Sequence, residues 1–388
     1  MRIPLSCSLY AVATLTCLDS LIKVGLGSLY MQLGLLIALL MLGMLYINTG
    51  YVFKVRLASK DNTVAAFLAL LLLGFFTALN TAVYLQMLFY FLVYTLVYYY
   101  IGEVAQYVNL SKLSMVCILI LCATGIVQYV LINVFSFQLE LRGMENEYYL
   151  GNGDLATRMR GFFLEPNWFG LVLFSWLYIY LRGTSEFSRI KVGILILALI
   201  CLFLSGNRLM YVFVVLLFAS HLCRVYLNNF KRVIPLILLC LGGGAFIYLS
   251  LAGGLEGDRS AAARFYTGYN VFMDMFSSPL STQIFGNGFS NWGWFSNELE
   301  LSWSNYLFDQ SLTRRDNSEL YVLFFEMGFI GLSVFLYDAI FLGGKKNADI
   351  VDLIYLICIY WASMFYPLYT FLMYMIPMMI VRSRVINS

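Results

Sequence analysis

The chain has 388 residues, of which 61% are hydrophobic and 12% charged, and its formal net charge is +3. A soluble domain is roughly half apolar and about a quarter charged. This composition, with a mean hydropathy of +0.81, therefore excludes a soluble enzyme, a nucleic-acid binder and a disordered scaffold. The fold class expected is an all-α polytopic membrane protein, one integral membrane domain over 1–388.

A spanning helix needs about 20 apolar residues. The hydrophobic runs predict about twelve transmembrane helices, at 4–22, 29–47, 63–79, 82–101, 113–135, 167–182, 190–206, 208–226, 233–252, 319–342, 350–366 and 368–386. The run 63–101 divides at Asn80-Thr81, and the count falls to eleven if Pro367 and Pro377 break the last pair. Residues 4–22 read as an uncleaved first helix, because Ala11-Val12-Ala13 comes too early for a signal-peptide cleavage site. All eight cysteines lie in or beside apolar runs, so disulfides are not expected to brace the loops. The single histidine, His221, reads as a core or interfacial residue near a helix end rather than as a catalyst.

Basic residues set the expected orientation. With the N-terminus in the cytoplasm, 15 of the 24 Lys and Arg fall in short inner loops, as the positive-inside rule requires. Both termini are then cytoplasmic, and the two long loops, 136–166 and 253–318, face outward. Loops of that length are uncommon without a purpose. They hold 12 of the 21 carboxylates and seven arginines: Arg142, Arg158, Arg160, Arg259, Arg264, Arg314 and Arg315. Arg208 joins them from the hairpin after Ser205-Gly206-Asn207. Guanidinium keeps its charge and grips phosphate oxygens with paired donors, which makes these arginines candidate phosphate ligands. The competing reading pairs them with loop carboxylates or lipid headgroups. Trp292, Trp294, Phe295, Trp303 and Tyr306 read either as an interfacial aromatic belt or as a stacking surface for sugar rings. Residues around 287–308 suit an amphipathic segment lying on the membrane.

Four patterns go beyond composition. They are Arg158-Met-Arg160-Gly161 leading to Glu165-Pro166-Asn167, then Leu204-Ser205-Gly206-Asn207-Arg208, then Arg264-Phe265-Tyr266 through Ile284-Phe285-Gly286-Asn287-Gly288, and finally Asp316-Asn317-Ser318-Glu319 with Glu326-Met327-Gly328. In this order, over roughly 150–335, they resemble the O-antigen polymerase and ligase superfamily, with polymerases of the Wzy type closest. The resemblance implies a GT-C-like scaffold in the bacterial inner membrane and an inverting glycosyltransferase with its active site facing the periplasm. Its donor and acceptor would be undecaprenyl-diphosphate-linked glycans, polymerised into O-antigen. Membrane lipids and a chain-length regulator protein would be its partners. An O-antigen ligase is the alternative, disfavoured because that branch carries His where this chain has Asp316. A flippase or transporter of the same lipid is the rival from another class.

On that reading Arg208 and Arg264, with Arg158 and Arg160 beside them and Arg314 and Arg315 in reserve, stabilise the departing diphosphate. Asn167, Asn317, Trp292 and Trp294 complete the binding set. Asp316 is the candidate base for the acceptor hydroxyl, with Glu165 and Glu319 as rivals, although the reading of Asp316 as a helix N-cap or a partner of Arg314 or Arg315 weighs slightly more than catalysis. No Asp-x-Asp motif faces outward, so neither a metal nor another cofactor is expected. Glu326, about 10 Å into its span at 1.5 Å per residue, is expected to face the protein interior or an aqueous cavity.

Overall fold

The computed structural model describes residues 5–18, 23–26, 29–32, 36–37, 39–41, 43, 61–137, 158–163, 166–183, 188–251, 259–299, 301, 318–345, 348–364 and 372–387. Over these residues the chain is almost entirely helical. In order come α1 (Leu5–Thr16), the hairpin β1 (Lys23–Leu26) and β2 (Leu29–Gln32), α2 (Asn62–Leu73), α3 (Thr81–Val104) and α4 (Leu110–Asn133). Next are α5 (Pro166–Gly183), α6 (Arg189–Ser205), α7 (Arg208–Leu222) and α8 (Ile234–Leu251). The chain continues with α9 (Arg259–Ser277), α10 (Leu280–Phe285), α11 (Trp292–Glu298), α12 (Glu319–Gly343), α13 (Ile350–Ser363) and α14 (Leu372–Asn387). The two strands are antiparallel, with Lys23 opposite Gln32 and Leu26 opposite Leu29.

Among the described residues only three helical stretches are long and apolar enough to cross a bilayer: Thr81–Tyr107, Leu110–Asn133 and Glu319–Gly343. A fourth is added if Arg208–Leu222 and Arg224–Phe230, bent by 84°, count as one span. This overturns the expected twelve-helix, GT-C-like polytopic fold. The reason lies in helix length and in what covers each helix. At 1.5 Å per residue a hydrocarbon core of about 30 Å needs about 20 residues. The run 63–79 instead yields the 12-residue α2, started by Asp61, whose carboxylate accepts from the Val64 N–H at 3.3 Å. The run 350–366 yields the 14-residue α13, and 4–22 the 12-residue α1. The run 29–47 opens in β2, and most of the rest of it lies outside the described residues. The run 167–182 forms α5, buried on nearly every side, as in a protein core.

The sidedness falls with the count. Cytoplasmic termini, two outward loops and a multi-pass inner-membrane placement were all built on twelve spans, where the described residues show three, or four with the bent pair. The second of those stretches carries three helices among its described residues, α9, α10 and α11, between 259 and 298.

The chain forms two compact units. The first comprises Met1–Lys54, Leu96–Ala219 and Leu372–Arg384; the second comprises Val55–Thr95, Ser220–Phe371 and Val385–Ser388. In the first unit Asn109 caps α4, its side chain accepting from Lys112 N at 3.1 Å. α4 then buries Leu110, Leu113, Ser114, Cys117, Leu121, Gly125 and Gln128 at three- and four-residue spacing, which is one helical face. At Gly125 a Cβ would lie 2.9 Å from both Phe169 Cζ and Met159 Sδ, so the missing side chain lets α5 and residue 159 close onto α4.

In the second unit Leu71, Tyr84, Phe289, Leu323 and Met327 form a buried cluster. α8 meets α13 where Gly242 leaves room for the Trp361 indole, whose Nε1 donates to Leu238 O at 3.0 Å. Arg224 pairs with Asp349, and the Tyr360 hydroxyl donates to Asp338. α12 bends at Gly328, whose φ of +60° breaks the helical run.

On α9, burial holds the Asp274 carboxyl above its usual range. A raised folded value favours the protonated form, so the stability contributed by this group is complete below the ordinary value of 3.8 and is lost as pH rises through the folded value. Asp274→Asn is therefore expected to raise the melting temperature at pH 7 and leave it nearly unchanged at pH 3. A lower melting temperature at pH 7 would contradict this.

Candidate anion-binding site

In the first unit the segment 158–163 lies against two neighbours that hold it by its backbone. Met159 N donates to Leu204 O at 3.1 Å, which ties the segment to the end of α6. Arg160 N and Gly161 N both donate to Gln128 Oε1 of α4, at 2.9 and 3.2 Å. Gly161, at φ +56°, supplies the left-handed turn that allows one amide oxygen to accept from two consecutive N–H groups.

Side chains complete the junction. Arg158 Nε donates to Ser205 O at 2.8 Å, and its guanidinium lies over Gly206, where a Cβ would come within 2.7 Å of Nε. Gly206 ends α6 in the left-handed conformation, with φ +63°. The same turn carries Asn207, whose Nδ2 donates to Asn167 O at 3.1 Å, and then Arg208, the exposed first residue of α7. The first two sequence patterns are thus one structure, which gathers Arg158, Arg160, Asn167 and Arg208.

Burial differs sharply among these groups. Arg160 is 7% exposed, Arg158 is intermediate and Arg208 is exposed. Gln128 is 3% exposed, and its Nε2 has no hydrogen-bond partner among the described residues. A buried amide N–H without an acceptor costs about 1–3 kcal/mol, so this corner favours an acceptor. Gln128 was absent from the sequence-based candidates because a lone amide in an apolar run reads as part of the span. Its only signal in the sequence was that polarity, about 7 Å from the end of α4 at 1.5 Å per residue.

The remaining candidates lie elsewhere. Arg264 is on α9 in the second unit, with its side chain outside the described set. Glu165, Arg314, Arg315, Asp316 and Asn317 fall outside the described residues. Trp292 is 1% exposed, packed at 5.6 Å on Tyr321 and 5.4 Å on Phe325 between ring centroids, while Trp294 is exposed. Glu319 is buried at the start of α12. Glu326 is 1% exposed, and its Oε1 accepts from Trp292 N at 3.2 Å. The third and fourth patterns meet here: Asn287 N donates to Phe325 O at 2.8 Å and Gly288 N to Glu326 O at 3.0 Å. Among the described residues no three His, Cys, Asp or Glu cluster as metal ligands.

No family model matches the chain, no curated protein matches it, and no solved structure matches it. The resemblance to Wzy-type O-antigen polymerases is overturned by the span count, three or four among the described residues where that architecture has about twelve. The polymerase, ligase and flippase functions rested on that scaffold and on its sidedness, and they are withdrawn with it.

Proposed function

We propose that this chain is a membrane-embedded glycosyltransferase that holds a polyprenyl-diphosphate-linked glycan donor by its diphosphate at Arg158, Arg160 and Arg208. The observation that carries the reading is that Arg158, Arg160 and Arg208, from segments far apart in sequence, stand on one junction, where Arg158 Nε donates to Ser205 O and the Arg160 backbone N–H donates to the buried Gln128 amide. A phosphate oxygen would supply an acceptor for Gln128 Nε2. The site lies near one end of α4, a helix of spanning length, where the phosphates of membrane lipids are found.

Guanidinium groups fixed around the diphosphate would stabilise the charge left when the sugar–oxygen bond breaks, and the excluded water would strengthen that effect. Arg158 is already oriented by Ser205 O, and Arg160 by its buried seat, so little side-chain ordering remains to oppose binding.

The test is release of polyprenyl diphosphate from a polyprenyl-diphosphate-linked oligosaccharide by the full chain in lipid nanodiscs. Wild type is expected to release it. Arg208→Ala, an exposed change that leaves the turn intact, is expected to lower release about tenfold or more, the value of one charged hydrogen bond of about 1.5–3 kcal/mol. Binding without release would reduce the protein to a lipid-binding role, and absence of both would overturn the proposal.

A further inference from the structure

We infer that α9 rests on the bilayer surface, its Tyr266–Tyr269–Met273–Phe276 stripe inserted among lipid acyl chains at the headgroup boundary. The helix has two apolar faces. Phe265, Val271, Phe272 and Met275 are buried within the second unit. Tyr266, Tyr269, Met273 and Phe276, at spacings of three and four, are instead between 39% and 49% exposed. Four large side chains aligned on one exposed helical face form an apolar strip that a soluble surface would rarely carry.

Several observations identify the lipid as its occupant. α9 is not itself among the helices of spanning composition, and it carries Arg259, Arg264 and Asp274 within 19 residues. It packs against the first turns of a helix that is. The rings of Phe272 and Phe276 lie 5.9 and 5.8 Å from Phe324, which is about 7 Å into α12 at 1.5 Å per residue. Phe324 in turn lies 5.1 Å from Phe329, which is exposed on α12. Phe276 at the end of the stripe thus packs on Phe324, which is buried in the first turns of a helix of spanning composition, and Phe329, further along that helix, is exposed. Tyrosines at one end and Met and Phe at the other match the headgroup boundary, since Tyr favours the headgroup level with its hydroxyl in water. The inference does not depend on the glycosyltransferase reading.

The experiment uses the full wild-type chain in phosphatidylcholine vesicles, with two probes compared by peptide mass spectrometry. A carbene generated from an aryl diazirine dissolved in the bilayer is expected to label the four stripe residues. Hydroxyl radicals generated in the water are expected to oxidise Met273 several-fold more slowly than in the urea-unfolded chain. Oxidation of Met273 at the unfolded rate would place the stripe in water and overturn the inference. Protection from both probes would mean that a protein surface covers it, and would overturn it equally.

Discussion

Gln128→Leu is expected to abolish detectable binding of undecaprenyl diphosphate and to loosen the 158–163 segment. The substitution keeps the volume and apolarity of a buried position but removes the one oxygen that accepts from both Arg160 N and Gly161 N. Two buried N–H groups left unmet cost about 1–3 kcal/mol each, enough to release a short turn from its seat. Gln128→Glu separates the two roles of the residue. Its carboxylate keeps an acceptor for both backbone N–H groups, so the turn should hold, while its negative charge competes with phosphate for Arg160. Equilibrium binding of a fluorescent polyprenyl diphosphate, with proteolysis of the 158–163 segment alongside, checks both variants. The pattern expected is loss of binding in each, with increased cleavage only in Gln128→Leu. Near-wild-type affinity in Gln128→Glu would remove Gln128 from the binding site.

Gly286→Ala is expected to be the most damaging single methyl addition in the second unit. Gly286 has φ +77° and ψ −174°, a region in which L-residues are strained by about 1–3 kcal/mol. A Cβ there would also overlap the backbone of Glu326 and Met327. The overlap is with main chain, so no side-chain rotation relieves it. The bond from Asn287 N to Phe325 O, at 2.8 Å, and that from Gly288 N to Glu326 O, at 3.0 Å, run through the same contact and would be lost together. The measurement is the melting temperature of the purified protein in detergent. A drop of several degrees or failure to accumulate folded protein is expected, whereas Ala at Gly244, where a Cβ meets nothing within 4 Å, should change little. Equal tolerance of both substitutions would show that the 286–288 and 325–327 segments do not pack as described.

The sequence made the helical class legible and located three stretches of spanning length, because runs such as Thr81–Tyr107 and Leu110–Asn133 are predominantly apolar over more than 20 residues. It did not reveal that other equally apolar runs are shorter helices or lie inside the protein. α5 shows why: side chains such as Phe169, Leu173 and Trp176 are buried by other helices, and residue hydrophobicity is the same whether protein or lipid covers it. Chain breaks were visible only in part. The division at Asn80-Thr81 was, but Pro377 lies inside α14 and breaks nothing, and the cap at Asp61 and the αL turn at Gly206 depend on backbone geometry.

The patterns themselves were visible, and so was the value of their arginines. Their pairing was not: Arg158 meets Ser205 across 47 positions, and Asn291 Nδ2 meets Thr77 O across 214. Tertiary contacts of that range leave no periodic trace in a single sequence. Trp292 illustrates the opposite error of emphasis, since an indole that suits a sugar-stacking surface in sequence is enclosed by Tyr321 and Phe325.

The most direct measurement is competition between undecaprenyl diphosphate and undecaprenol for the full chain at fixed detergent concentration, read by native mass spectrometry. The two lipids share the same hydrocarbon and differ in the group that Arg158, Arg160, Arg208 and Gln128 would hold. Preferential retention of the diphosphate by tenfold or more, reduced by Arg208→Ala, is the predicted result. Equal retention of the two lipids would contradict the account, because binding would then rest on the hydrocarbon and not on the arginine site.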